Sequence, residues 1–313
     1  MSTLSVGKQT VLKSTLSVGG ATVMKSTLSV AAASVFASTL SIGSNVLISK
    51  HLEVLGNIIS GATLSVAGNL IAGFHLSVAG GGVLGSILSV GKQTVLSSHL
   101  SVAGLSLLAS ALSIGSSTVL MSTLSVGKQT VLTSTLSVGA ASVFASTLSV
   151  GSNVLISKHL EVLGNIISGA TLSVAGNVIA SYNLSVAERA VLASTLSVGK
   201  QTVLASHLSV AGLSLLASAL SIGSSTVLMS TLSVGKQTVL KSTLSVGGAT
   251  VMESSLSVAG LSLLASALSI GSSTVLMSTL SVGKQTVLKS TLSVGGATVM
   301  KSSLSVAGLS LLA

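Results

Sequence analysis

Residues 2–13 read Ser-Thr-Leu-Ser-Val-Gly-Lys-Gln-Thr-Val-Leu-Lys, and residues 14–25 read STLSVGGATVMK. From there the same pattern runs to Ala313, so that after Met1 the 313-residue chain divides into 26 twelves without remainder. Numbered from Ser2, position 3 is Leu in all 26 copies and position 5 is Val in 22 and Ile in four, while position 4 is Ser except at Glu53 and Glu161. Apolar and polar residues alternating over positions 2 to 5 are the period-two signature of a half-buried strand. Position 6 is Gly or Ala except at Leu55 and Leu163, which fits a tight bend. A helix is not expected, because a twelve-residue period with Val at fixed sites does not sustain an apolar stripe of period about 3.6.

Above the repeat lies a second order: residues 38–69 recur almost unchanged at 146–177, and 254–265 recur at 302–313. Growth by block duplication suits a stack in which each unit touches only its neighbours. The sequence therefore predicts an all-β, elongated β-solenoid, one continuous array over residues 1–313, with an intertwined trimeric β-spiral shaft as the alternative. The residues per coil stay open between twelve and a larger multiple of six. One repeat per rung gives a rod of roughly 125 Å, whereas an 18-residue coil gives about 17 rungs and roughly 83 Å.

Position 10 is always Val, Leu or Ile, and this strictness assigns it to the core. The expected core ladder is Leu4, Leu16, Leu28 and Leu40 with Val6, Val18, Val11 and Val23. Parity then turns position 11 outward. That site carries Leu12, Met24, Phe36, Leu84, Leu96, Leu108, Leu120 and Leu132 but admits Ser60 and Ala72, and it reads as an apolar assembly stripe. Position 8 holds Asn45, Asn57 and Asn69, then Asn153, Asn165 and Asn177, in consecutive copies. One repeat per rung would stack them as an Asn ladder.

Composition excludes much else. Charged residues are 6% of the chain and aromatic ones 1%, Pro, Cys and Trp are absent, and the formal net charge is +10. An ordinary soluble domain has roughly 25% charged residues. Mean hydropathy is +0.95, yet Ser or Thr interrupts every apolar run well short of the roughly 20 residues of a spanning helix. The expectation is a chain that is not transmembrane, without disulfides, and with its cations keeping an apolar rod in solution. Arg clusters and aromatic platforms are missing, so no specific nucleic acid is expected.

The pattern Leu-Ser-Val-Gly, three variable residues and Val-Leu resembles the repetitive shafts of viral and bacteriophage fibres, where short apolar-x-apolar strands alternate with Gly turns. The resemblance extends over essentially the whole chain and implies a structural shaft. The adenovirus-type triple β-spiral has a longer repeat, commonly with Pro or Gly at its turn, and there is no Pro here.

No catalytic, cofactor or metal site is expected. His51, His75, His99, His159 and His207 all fall at position 2, at least two repeats apart, too far for imidazoles to share an ion at about 2.0–2.1 Å. Glu53 and Glu161 lie nine repeats apart and read as local partners of Lys50 and Lys158. Gly80-Gly81-Gly82 lacks the Lys-Ser/Thr of a phosphate loop, and Asn183-Leu184-Ser185 is a lone sequon. The Thr-x-Ser array is similar to the Thr-x-Thr ladders of some antifreeze β-helices, but position 2 is Thr in only 14 of 26 copies.

The function expected is thus a fibre shaft or filament subunit that assembles with itself, laterally and end to end, with a cap, anchor or tip protein as further partner. An ice- or glycan-binding solenoid and an adhesin stalk are the alternatives. No signal peptide is visible at Met1, and an extracellular fibre or virion surface is the expected location.

Overall fold

A computed structural model describes residues 4–312. It contains 52 three-residue strands, one in every six residues. The chain falls into two compact units, Met1–Ser157 and Lys158–Ala313. Each unit is a parallel β-solenoid of 26 strands. The first four strands, β1 (Leu4–Val6), β2 (Thr10–Leu12), β3 (Leu16–Val18) and β4 (Thr22–Met24), set the rule. β4 lies beside β1 with Leu4 opposite Thr22, Ser5 opposite Val23 and Val6 opposite Met24. A coil is therefore 18 residues, three strands and three bends, and the unit has three sheet faces. At three strands per coil, 26 strands make just under nine coils, or roughly 42 Å of stack.

The sequence repeat is twelve residues and the coil is eighteen, so each strand of the LSV type stacks on one of the TVL type. On the first face the inward column runs Leu4, Thr22, Leu40, Ile58, Leu76, Thr94, Leu112 and Thr130. Its companion runs Val6, Met24, Ile42, Ser60, Val78, Leu96, Ile114 and Leu132. The expected unbroken Leu ladder is accordingly interleaved: Leu4 meets Thr22, while Leu16, twelve residues on, belongs to another face and meets Ser34.

A strand of three residues turns its first and third side chains to one side and its second to the other. In LSV strands the inward pair is positions 3 and 5, as the sequence predicts, and Leu28 and Leu40 are buried. Leu4, Val6, Leu16 and Val18 point the same way and are half-buried. In TVL strands the inward pair is positions 9 and 11, which corrects two expectations. Val11 and Val23 are not core residues, being 62% and 42% exposed. Met24, Phe36, Leu84, Leu96, Leu108, Leu120 and Leu132 are no assembly stripe; all are buried at 2% exposure or less. Leu12, in the first coil, is half-buried on the same inward side.

The physical reason is a shared inner volume. Where position 11 shrinks to Ser60 or Ala72, position 9 grows to Ile58 or Leu70; where position 11 is Phe36, position 9 is Ser34, and all six are buried. Close packing holds the sum and lets the two members trade. Position 10 faces outward between bends and keeps its β-branched or aliphatic residue for strand propensity.

Backbone pairing continues into the bends. The Lys25 N–H donates to the Val6 carbonyl at 3.1 Å and the Leu4 N–H to the Ala21 carbonyl at 3.0 Å. No described residue, Gly or other, has positive φ. Glycine at the bends serves close approach instead: a Cβ on Gly43 would stand 2.8 Å from the Lys25 carbonyl oxygen. Leu55 and Met121 occupy equivalent bend places, so that need is local.

Candidate assembly surface

The outward columns at the strand centres follow from the same register. On the first face of the first unit the sequence is Ser5, Val23, Ser41, Ile59, Ser77, Val95, Ser113, Val131 and Ser149. Apolar side chains thus recur every second rung, about 9.6 Å apart, with a short hydroxyl between them. Ile59, Val95 and Val131 are 43%, 36% and 40% exposed. The third face carries Val35, Glu53, Ile71, Ser89 and Leu107 in the same column. It adds exposed Leu55 and Ile87 at its margins.

All fourteen Lys and Arg residues lie in bends and none in a strand. The three-residue strand forces this division. Its single outward side chain sits between two backbone neighbours in the sheet, while bend residues project into solvent where an ammonium stays hydrated. Glu53 and Glu161 are the charged residues at strand centres, opposite Ile71 and Ile179 respectively. They stand in different units.

The Asn residues do not stack on one another as one repeat per rung would require. A step of twelve in an eighteen-residue coil sends Asn45, Asn57 and Asn69 to three different bends. Each instead accepts a backbone N–H from the next coil: Thr63 to Asn45 Oδ1 at 3.0 Å, His75 to Asn57 at 3.2 Å and Ile87 to Asn69 at 3.3 Å. In the second unit Asn165 and Asn177 do the same for Asn183 and Thr195. Asn153 holds the equivalent bend place. A true Asn-over-Asn step occurs outside these six, because Asn183 follows Asn165 by one coil and accepts the Gln201 N–H at 3.1 Å.

His occupies the corresponding bend place in the other half-repeat and does similar work. The Asn69 N–H donates to His51 Nδ1 at 3.0 Å, and the Asn177 N–H to His159 Nδ1 at 3.0 Å. That acceptor role leaves the ring proton on Nε2. His99 and His207 meet the hydroxyls of Ser117 and Ser225. Among the described residues no three His, Cys, Asp or Glu side chains converge as metal ligands. No helix among the described residues is long and apolar enough to cross a membrane. The sequence shows one further contact only by its 18-residue spacing: Lys92 Nζ lies 4.6 Å from the Phe74 ring centre, and Lys200 Nζ 4.4 Å from that of Tyr182.

No family model matches the chain, and neither curated proteins nor solved structures give a match.

Proposed function

We propose that this chain is a structural shaft element that assembles with copies of itself through its sheet faces, in keeping with the fibre resemblance of its repeats. The observation that carries this reading is the division of labour on the surface. Apolar side chains occupy strand centres, and every cation is confined to the bends. Like faces can then meet without opposing like charges, and the alternation of Ser with Val or Ile lets the apolar side chains of one copy enter the gaps of another. A face about eight rungs high and five residues wide measures roughly 600 Å² per unit, below the roughly 800 Å² per partner of a standard interface. Lateral association is therefore concentration-dependent and strengthened by salt, which screens the bend cations.

The test is sedimentation of the full chain beside a variant with Ile59→Lys, Val95→Lys and Val131→Lys. These residues are exposed, so the variant keeps its β-type circular dichroism. The expected result is a wild type that is multimeric at micromolar concentration and a variant that is not. A monomeric wild type, or equal assembly by both, removes lateral assembly from the function.

A further inference from the structure

The third bend of the first unit carries a feature that shaft assembly does not use. In successive coils it presents Gly73-Phe74-His75, Gly91-Lys92-Gln93, Ala109-Ser110-Ala111 and Gly127-Lys128-Gln129. Two lysines stand two rungs apart, about 9.6 Å along the ridge, and the intervening bend is built of small residues. The result is an open recess of about 490 Å³ lined by His75, Lys92, Gln93, Ser110 and Lys128, among others. Lys92 is held from below: its backbone N–H donates to the Phe74 carbonyl at 3.0 Å and its ammonium rests over the Phe74 ring. The second unit repeats the arrangement with Tyr182, Lys200, Ser218 and Lys236. There the Lys200 N–H donates to the Tyr182 carbonyl at 3.1 Å, and the ammonium lies over the Tyr182 ring.

We infer that this ridge is a binding site for a linear acidic polysaccharide, its sulfate or carboxylate groups meeting the paired lysines and its hydroxyls meeting the exposed amides of Gln93 and Gln129. In the first unit the one acidic side chain, Glu53, is two coils from Lys92, so Lys92 and Lys128 face no neutralising partner along the ridge. In the second unit Glu253 stands in the bend one coil beyond Lys236, which makes the pair in the first unit the stronger site. An extended anion with regularly spaced charges gains from each two-rung step, which a single small anion does not. Nucleic acid is the poorer fit. The aromatic faces that would stack a base are covered by ammonium groups, and the chain has no Arg cluster.

The experiment uses the full chain and four probes at physiological salt: heparin for sulfate, alginate for carboxylate, neutral dextran, and poly(dT) single strands. One variant replaces Lys92, Lys128, Lys200 and Lys236 by Gln. A control of equal charge replaces Lys13, Lys25, Lys241 and Lys301 by Gln. The expected result is binding to heparin or alginate but not to dextran, an affinity loss of about tenfold or more in the ridge variant and less than about threefold in the control. The preferred acidic probe tells sulfate from carboxylate recognition. Equal losses in the two variants would mean that net charge alone is responsible and overturn the site, as would poly(dT) binding as tightly as heparin or no binding to either acidic probe. All eight lysines lie in bends, so folding is not at stake.

Discussion

Thr94, Val95 and Leu96 form one strand whose middle residue is the exposed one: Thr94 and Leu96 are 0% and 2% accessible, Val95 36%. Leu96→Ala therefore costs about 2–5 kcal/mol, as core truncations do, whereas Val95→Ala costs under about 0.5 kcal/mol. Denaturant melts of the two variants check the difference, and equal costs would reverse the assignment of inside and outside. The sequence already held the clue to this parity in the trading of Ile58 with Ser60 and of Leu70 with Ala72. It is visible only when positions 9 and 11 are compared with each other, and the constancy of position 10 points the other way. Thr94 carries a second consequence. Its buried hydroxyl has no hydrogen-bond partner, nor have those of Thr22, Thr118 and Thr130. An orphaned hydroxyl costs roughly 1–3 kcal/mol. Thr94→Val, which keeps the branched shape, is expected to raise stability by about 1 kcal/mol, read as a higher denaturant midpoint.

At the scale of the element, strand and bend divide the hydrogen bonding. Strand positions and the LSV faces were legible from period-two alternation. The role of the bend residues was not, because a side chain that caps the N–H of the next coil reveals itself only once the coil length is known. Asn57 shows the effect. Its Oδ1 accepts the His75 N–H at an exposed bend, so Asn57→Ala leaves that amide to water. Loss of such a side-chain cap costs about 0.5–1.5 kcal/mol at most, and the His75 amide is expected to exchange several-fold faster while the amides of Leu76 and Val78 are little changed. Unaltered exchange at His75 would show that the Asn57 contact protects nothing. The same bends explain why Asn45, Asn57, Asn69, Asn165 and Asn177 scatter over three ridges yet behave alike: each sees the same local geometry, one coil below a backbone donor.

At the scale of the molecule, twelve-residue chemistry wound on an eighteen-residue coil keeps strands of the LSV type over strands of the TVL type. Each unit is a one-dimensional array whose stability is a sum over neighbouring coils. Removing residues 98–109 deletes two strands and leaves every LSV strand against a TVL strand. Removing only residues 98–103 deletes one, and three strand pairs become like upon like, with Leu88 brought over Leu112 and Thr94 over Thr118. Mismatched packing costs about 1–3 kcal/mol per site, so the shorter deletion is expected to be the more damaging, with a lower and broader thermal transition. Equal melting of the two deletions would remove the alternation from the account of stability. The two periods act like the scales of a vernier, whose marks coincide only every 36 residues. An internal copy shifted by 108 residues lands on a coincidence, so Tyr182 and Lys200 inherit the neighbours that Phe74 and Lys92 have in their own unit. A copy shifted by 48, such as 254–265 to 302–313, lands between marks. It preserves the inside of the stack while turning its ornament to a different side, so the chain can lengthen freely in steps of twelve but can extend a surface pattern only in steps of thirty-six.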